Sequence, residues 1–298
     1  MAHVSRFTLH NLCVQGMEPM ESTYASQPTV KAKPVLADRS PKWQVIQLPS
    51  YRSLILPLVL LGIWQFVIYI GVFDRSQLPA PLDVVSAARE MVGRGELPKH
   101  IIASVVRVLQ GFGWGVLIAV VLGRLVGLSR NAEAIIAPTL QAIRAVPSLA
   151  WVPLLILWMG IGESPKITLV AIGVFFPVYT NLVAGIRGID RKLVEVGQAY
   201  GLSNLGLVRH ILLPAALPSL STGLRIGLAQ GWLFLVAAEL IAASRGLGFL
   251  LIDSQNTGRS DIIVLSIVLL ALIGKFSDWL LGLLEKRLLR WQDAFGGR

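Results

Sequence analysis

The sequence has almost no cysteine and few charged residues. One cysteine, Cys13, occurs in 298 residues, so the chain cannot form an internal disulfide and its fold does not depend on oxidation. Charged residues make up 15% of the sequence and hydrophobic residues 54%, with a mean hydropathy of +0.66. A soluble domain needs more polar groups than this to cover its surface. The composition therefore indicates a membrane protein.

The sequence also lacks the motifs of nucleotide hydrolysis, metal binding and nucleic-acid binding. "ALIGKFSD" offers Gly274 and Lys275 without the earlier glycine and the following hydroxyl of a phosphate-binding loop. Neither His-Glu-x-x-His nor Gly-x-Ser-x-Gly occurs, and the four histidines are widely scattered. The net charge is +10, yet no basic segment with interleaved aromatic residues is present. We expect no catalytic residue, no metal site and no nucleic-acid partner.

The first 45 residues differ from the rest of the chain. They contain Ser, Thr, Pro, Lys and Gln without hydrophobic periodicity, which predicts a disordered cytoplasmic tail. They also lack the compact apolar segment of a cleaved signal peptide. Met17 and Met20 are alternative starts to Met1. The predicted organisation is a tail over 1–45, a transmembrane domain over 46–292 and a short cytoplasmic tail over 293–298.

Apolar runs long enough to cross a bilayer, which needs about 20 helical residues, occur six times. The runs cover residues 54–73, 101–128, 133–160, 166–186, 217–242 and 261–284. Pro147 and Pro153 interrupt the third run, and such breaks are tolerated only where neighbouring helices or a cavity satisfy the freed backbone groups. A short amphipathic helix at the membrane surface is expected to begin near Pro81. The pattern predicts an all-α membrane protein with about six transmembrane helices.

The distribution of Lys and Arg predicts the orientation of these helices. Arg6 lies far out in the tail and is left aside. With the N-terminus inside, the segments on the cytoplasmic side hold fourteen Lys and Arg residues and those on the outside hold seven. Positive loops remain on the cytoplasmic side. Both termini, and the loop 187–214 between the fourth and fifth runs, are therefore expected in the cytoplasm.

The loop contains a polar stretch, "EVGQAYGLSNLGLVRHILLP". The residues from Lys192 have helical composition, and Gly201 can adopt the left-handed conformation that closes a helix. Ser203 or Asn204 can cap a second short helix. Pro214 and Pro218 are expected to mark its boundary with the next span. This shape suits a groove on another protein, and the alternative is an ordinary amphipathic helix at the lipid headgroups.

The spacing of this stretch resembles the cytoplasmic signature of ABC-transporter permeases. That signature is Glu-Ala-Ala, three residues, Gly, nine residues, Ile, one residue and Leu-Pro. In that family the loop docks into a cleft of a separate ATP-hydrolysing subunit, so the resemblance implies an ATPase-coupling loop in which the glutamate makes the polar contact and the second glycine the turn. The residues at the signature positions are Glu195, Val196 and Gly197 (in place of the two alanines), Gly201, Ile211, Leu213 and Pro214.

Other segments narrow the resemblance. "LPAPLDVV", "RAVPSLAWVPLLILWMGIGESPK" and "SRGLGFLLIDSQNTGRSDIIV" are similar to membrane subunits that import aliphatic sulfonates, taurine, nitrate and similar small anions, with the sulfonate type the nearest likeness. The resemblance implies a type I ABC importer permease fold and a bacterial inner-membrane location in contact with lipid.

The same resemblance implies a set of partners. These are a second copy of the chain, two ATP-binding subunits that carry the ATP and Mg, and an extracytoplasmic substrate-binding protein. The chain itself is expected to bind no cofactor. Nitrate, taurine or another small solute is the alternative substrate, and an ATPase-independent channel, which the loop signature opposes, is the alternative class.

Charged residues within the apolar runs are candidates for the translocation path, because an intramembrane charge is costly. Arg225 can attract an anion, or it can pair with an acidic group and hold two helices together. Glu239, about 21 Å further along the same helix, is expected to support an outer gate or to meet the binding protein. Arg144 either lines a cavity or extends to the interface. Arg107 and Arg124 are expected at the membrane interfaces.

Small residues form one face of the fifth run. Gly223, Gly227 and Gly231 recur every fourth residue, which lets another helix approach closely. This face favours either a helix that rocks against its neighbours or a tightly packed one.

Overall fold

The computed structural model describes residues 51–74, 76–289 and 291, and within these ranges the chain is helical without a strand. The predicted tails, 1–45 and 293–298, lie outside the described residues. A 3₁₀ turn spans Ser148–Ala150 and a π-helical turn spans Val208–Leu212. The α-helices are α1 Tyr51–Tyr69, α2 Pro81–Gly93, α3 Glu96–Leu128, α4 Arg130–Ala145, α5 Trp151–Met159, α6 Glu163–Arg187, α7 Arg191–Ala199, α8 Asn204–Leu207, α9 Leu213–Ala242, α10 Leu247–Asn256 and α11 Ser260–Leu288.

Four described helical stretches are long and apolar enough to cross a membrane. They are Glu96–Leu128, Glu163–Arg187, Asn204–Ile241 and Ser260–Leu288. The apolar part of α1, Ile55–Tyr69, is shorter. These stretches correspond to five of the six predicted runs, and the predicted all-α membrane fold is confirmed.

The third predicted run, 133–160, is divided into two helices. α4 ends at Ala145 because Val146, which precedes Pro147, has an extended backbone with φ −72° and ψ 124°, and a proline disfavours the helical region for the residue before it. Pro153 breaks nothing, because it is the third residue of α5, where a backbone N–H has no partner within the helix. One of the two predicted breaks is therefore present.

The fifth predicted run begins earlier than expected. Helical structure continues from Asn204 to Ile241 through Pro214 and Pro218, so the expectation that these prolines separate the second short helix from the span is wrong. A proline ring clashes with the carbonyl group four residues earlier, which for Pro214 belongs to His210. The wider π-helical turn at Val208–Leu212 lies at this position and gives the ring room.

Helix α6 packs against glycines on both sides. A methyl group built on Gly115 of α3 would lie 2.7 Å from the carbonyl oxygen of Ala171. A methyl group on Gly227 of α9 would lie 3.0 Å from Val178 Cγ2. The other glycines that approach α6 closely are Gly111, Gly123 and Gly127 of α3 and Gly223 and Gly231 of α9. The glycine face of the fifth run is thus a tightly packed face within one chain.

The centre of the core lies on the same helix. Val170, Val174 and Val178 of α6 are fully buried, as are Ala119 of α3 and Leu235 of α9. Because α6 is covered from two sides, it carries more of the buried side chains than its neighbours do. Glu163 and Lys166 lie in the first turn of α6, and the loop that carries the signature follows its last residue, Arg187.

Helix α2 begins at Pro81, as predicted. The backbone N–H of Ala80 donates to Asp83 Oδ2 at 3.0 Å, which closes the first turn. Its buried residues Val84, Ala87 and Met91 pack in one cluster with Leu250 of α10 and Leu265 of α11. The amphipathic helix therefore covers the ends of other helices.

Replacing Gly115 by alanine should destabilise the protein, because the added methyl group would clash with the backbone oxygen of Ala171. We expect a loss of about 1–3 kcal/mol, the usual cost of overpacking, seen as a lower melting temperature of the full chain in detergent. Gly113→Ala on the same helix is the matched control, since nothing lies within 4 Å of a methyl group there, and alanine favours a helix by about 1 kcal/mol over glycine. Equal melting temperatures for the two variants would contradict this packing.

Candidate functional site

The loop between α6 and α9 is built around a glycine turn. Asp190 caps α7 by accepting a hydrogen bond from the Lys192 N–H at 2.9 Å. Gly201 has φ +76°, its N–H donates to the Gln198 carbonyl at 2.9 Å, and the Leu202 N–H donates to the Gly197 carbonyl at 3.1 Å. These two bonds form a Schellman motif. The left-handed residue predicted at Gly201 is confirmed.

The second short helix is capped by Ser203, whose hydroxyl oxygen accepts from the Gly206 N–H at 3.2 Å. Gly197 is buried at the contact between α7 and this helix. A methyl group on Gly197 would lie 2.5 Å from Leu207 Cδ2 and would also clash with Ile211 Cδ1. Two residues of the signature, Gly197 and Ile211, therefore contact each other and set the angle between the two arms of the loop.

The seven signature residues fall into two groups in the structure. One group faces solvent and the other holds the loop together by packing. Glu195 is 61% exposed on its side chain and lies 3.3 Å from the guanidinium of Arg191. The exposed residues are Glu195, Val196 and Gly201, the buried residue is Gly197, and the half-buried residues are Ile211, Leu213 and Pro214.

Apolar side chains extend the exposed surface of the loop. Leu193 and Val196 lie on one face of α7, three residues apart, and Tyr200, which directly follows this helix, is 85% exposed. Leu205, just after the turn, is 77% exposed. Charged residues of the same helix, Arg191 among them, border these side chains. An exposed apolar patch with a polar rim is typical of a protein-binding surface.

A second group of polar residues lies at the opposite ends of α6 and α9. The fully buried Glu239 accepts hydrogen bonds from Arg107 Nη1 at 2.7 Å, from the Ser104 hydroxyl at 2.8 Å and from the Gly248 N–H at 2.8 Å. Arg107 also binds Glu163 through Nη2 at 2.7 Å and through Nε. Lys166 Nζ lies 3.2 Å from Glu163. Two cations and two carboxylates thus join α3, α6, α9 and the start of α10.

Two expectations change because of this charge cluster, which consists of Arg107, Glu163, Lys166 and Glu239. Arg107 was expected at the membrane interface, but only 5% of its side chain is exposed, because it lies between two carboxylates. Glu239 is completely buried, which does not fit the expectation that it meets an external binding protein. The sequence contained a signal for this cluster, because Glu163 and Lys166 are spaced by three residues at the start of an apolar helix.

Arg225 is paired with acidic groups, as one of its two interpretations predicted. Its Nε and Nη2 atoms each lie 2.9 Å from an oxygen of Asp278, and Nη1 lies 3.4 Å from Glu285. Both carboxylates belong to α11. The bidentate geometry makes Arg225 a link between α9 and α11.

Arg144 lines a pocket of about 230 Å³ between α3, α4 and α6. Its side chain is exposed, and it forms no hydrogen bond or ion pair with any residue that the structure describes. Glu133, at the other end of α4, lines the same pocket and pairs with Arg187 of α6. The predicted path residues therefore differ, since Arg225 and Glu239 are paired whereas Arg144 faces a cavity.

Comparison with known proteins gives consistent matches. The family model of binding-protein-dependent transport system inner membrane components matches residues 111–290. The chain is 42% identical to SsuC of Escherichia coli strain K12, assigned as an aliphatic sulfonates transport permease, over 85% of this chain and 95% of the relative. SsuC of Bacillus subtilis strain 168, with the same assignment, is 39% identical over 83% and 89%. The taurine transport system permease TauC of Escherichia coli strain K12 is 35% identical over 78% and 86%.

A solved structure shares the fold. The inward-facing MetNI methionine ABC transporter contains a chain that matches with a TM-score of 0.55 and 21% identity, over 65% of this chain and 94% of that chain. The predicted type I ABC importer permease fold is confirmed by this match and by the family model.

Removal of the buried negative charge should strongly destabilise the protein. Glu239→Gln leaves the buried positive charge of Arg107 with Glu163 as its remaining carboxylate partner. Breaking a buried ion pair typically costs about 3–5 kcal/mol. We expect a clear drop in the melting temperature of the full chain in detergent. Glu96→Gln, at an exposed position of the same α3 that carries Arg107, is the control and should change little. A Glu239→Gln variant as stable as Glu96→Gln would refute a stabilising role for the cluster.

Proposed function

The chain belongs to the binding-protein-dependent transport system inner membrane components, and from that premise we propose that it imports a sulfonate in an ATP-driven complex. The complex contains two copies of this permease, two ATPase subunits that bind ATP and Mg, and an extracytoplasmic substrate-binding protein. The permease lies in a bacterial inner membrane with both termini in the cytoplasm. It binds no cofactor and hydrolyses no ATP itself.

The observation that carries this proposal is the division of the loop into an exposed and a packed side. Glu195 and Val196 face solvent beside Tyr200, whereas Gly197 and Ile211 pack against each other. An arm with a fixed shape and an exposed apolar tip suits a cleft in a soluble subunit. The seven signature residues therefore have two roles, since some contact the ATPase and the others hold the shape that it recognises.

Movement of the loop is transmitted to the membrane part by the continuous helix Asn204–Ile241. The two conformations of the permease, open outward and open inward, differ in their contacts with the ATPase. ATP binding and hydrolysis on the partner favour one conformation and then the other. The permease forms no covalent bond with the solute.

The substrate proposal rests on the relatives. Two of them are assigned to aliphatic sulfonates and a third to taurine, and taurine also carries a sulfonate group. Arg225 holds Asp278 with both sides of its guanidinium, so we assign it to the joint between α9 and α11. Glu239 belongs to the charge cluster, which we place at the outer ends of the helices.

The experiment is reconstitution of the full chain with its co-purifying ATPase and binding protein in liposomes. Uptake of ethanesulfonate, taurine and nitrate is measured with and without ATP. We expect ATP-dependent uptake of ethanesulfonate, and protection of the binding protein by sulfonates in a thermal-shift panel. Uptake without ATP or a co-purifying ATPase would support a channel, and protection by nitrate alone would overturn the sulfonate proposal.

Gly201→Ala should impair coupling, because alanine at φ +76° costs about 1–2 kcal/mol and the strain is relieved by moving the tip of the loop. That energy corresponds to a loss of about five- to thirtyfold in an equilibrium constant, measured as weaker co-purification of the ATPase or as less uptake per ATP hydrolysed. Gly258→Ala is the control outside the loop, since Gly258 has a similar backbone with φ +70° and nothing lies within 4 Å of a methyl group there. Normal coupling in Gly201→Ala would exclude a required turn at this residue.

A further inference from the structure

We propose that the pocket between α3, α4 and α6 is a binding site for the sulfonate group of the solute and that Arg144 is the cation that binds it. The inference rests on the proposed function for the identity of the solute. The site itself rests on the geometry of the pocket and on the pairing of the charges around it.

Arg144 differs from the three arginines that join helices through ion pairs. Arg107, Arg187 and Arg225 each bind at least one carboxylate. Arg144 has no such partner among the described residues, although it lines the same pocket as residues of α3 and α6. No described residue binds its exposed guanidinium, so the donors of that group can bind an anion that enters the pocket. In this pocket the anion is the solute.

The other charge in the pocket does not compete for Arg144. Glu133 is held by Arg187, which also donates to the Val126 carbonyl at 3.0 Å. Eleven residues separate Glu133 from Arg144, about 16 Å along α4 at 1.5 Å per residue. The ion pair and the unpaired guanidinium therefore lie at opposite ends of the pocket.

Two further donors line the pocket. The side chains of Gln141 and Tyr179 form no hydrogen bond with any described residue, whereas the Thr180 hydroxyl donates to the Phe176 carbonyl of its own helix at 2.8 Å. Gln141 lies three residues before Arg144, on the same face of α4. A sulfonate has three oxygens that only accept, and an arginine fork, an amide N–H and a phenol O–H are all donors.

The size and the remaining lining suit a small aliphatic group. The volume of about 230 Å³ lies below the roughly 300–1,000 Å³ of pockets for drug-sized ligands. Leu140, Phe176 and Val183 supply apolar surface beside the donors. A short alkyl chain with one sulfonate combines the same two features.

The first experiment uses the almost complete lack of cysteine. In full chains with Cys13→Ser, Gln141→Cys is labelled with the anionic reagent sulfonatoethyl methanethiosulfonate and with its cationic trimethylammonium analogue. We expect Arg144→Gln to lower the ratio of the anionic to the cationic labelling rate about tenfold, because one nearby positive charge is lost. Gln198→Cys on the exposed face of α7 is the control and should show no shift. An unchanged ratio at position 141 would overturn the site.

The second experiment tests binding of the solute with the same chemistry. Ethanesulfonate should slow the labelling of Ala137→Cys, which lines the pocket, and Arg144→Gln should abolish this protection while Arg144→Lys retains part of it. Absence of protection at millimolar ethanesulfonate in the parent chain would overturn the site. This assay needs no ATPase, so it is independent of the transport function.

The reconstituted complex separates failure of the site from failure of the proposed function. Arg144→Gln should lower ethanesulfonate uptake at least tenfold while ATP hydrolysis stimulated by the binding protein persists. Arg124→Gln, at an exposed position of α3 outside the pocket, is the matched control and should transport normally. No uptake by the parent complex would refute the proposed function, whereas normal uptake by Arg144→Gln would refute the site alone.

Discussion

The close contact of α6 with the glycines of α3 and α9 determines the remaining structure. Because Gly115 and Gly227 lack side chains, both neighbouring backbones approach α6 to within the width of a methyl group. This contact fixes the axial positions of the three helices. At one end it brings Arg107, Glu163 and Glu239 within hydrogen-bonding distance. At the other end it fixes the separation that the loop between α6 and α9 must bridge.

Local patterns in the sequence predicted much of this arrangement. Five of the six apolar runs, the helix start at Pro81 and the left-handed Gly201 depend on residues within a few positions of one another, and the structure contains each of them. Contacts between distant residues were not predictable in the same way. Arg107 meets Glu239 only because of the relative position of α3 and α9, and no spacing within either helix encodes that.

The continuous helix at Pro214 is a feature for which a local sequence rule gave the wrong prediction. A proline usually ends a helix, and the rule fails here because a π-helical turn precedes it. The partners of the charged residues also required the structure, since the sequence placed Arg107 at an interface and left two interpretations open for Arg144 and for Arg225. Their partners separate them, because two bind carboxylates of neighbouring helices and the third faces an open pocket.

The uninterrupted run Asn204–Ile241 has a mechanical consequence. Its 38 residues extend over roughly 57 Å at 1.5 Å per residue, and continuous helical structure joins the loop after α6 to the buried carboxylate of Glu239. A tilt of about 5° imposed at one end displaces the other by about 5 Å over that length. Such a displacement exceeds the length of a hydrogen bond. A tilt of the helix at the loop therefore displaces the contacts of Glu239 near its other end.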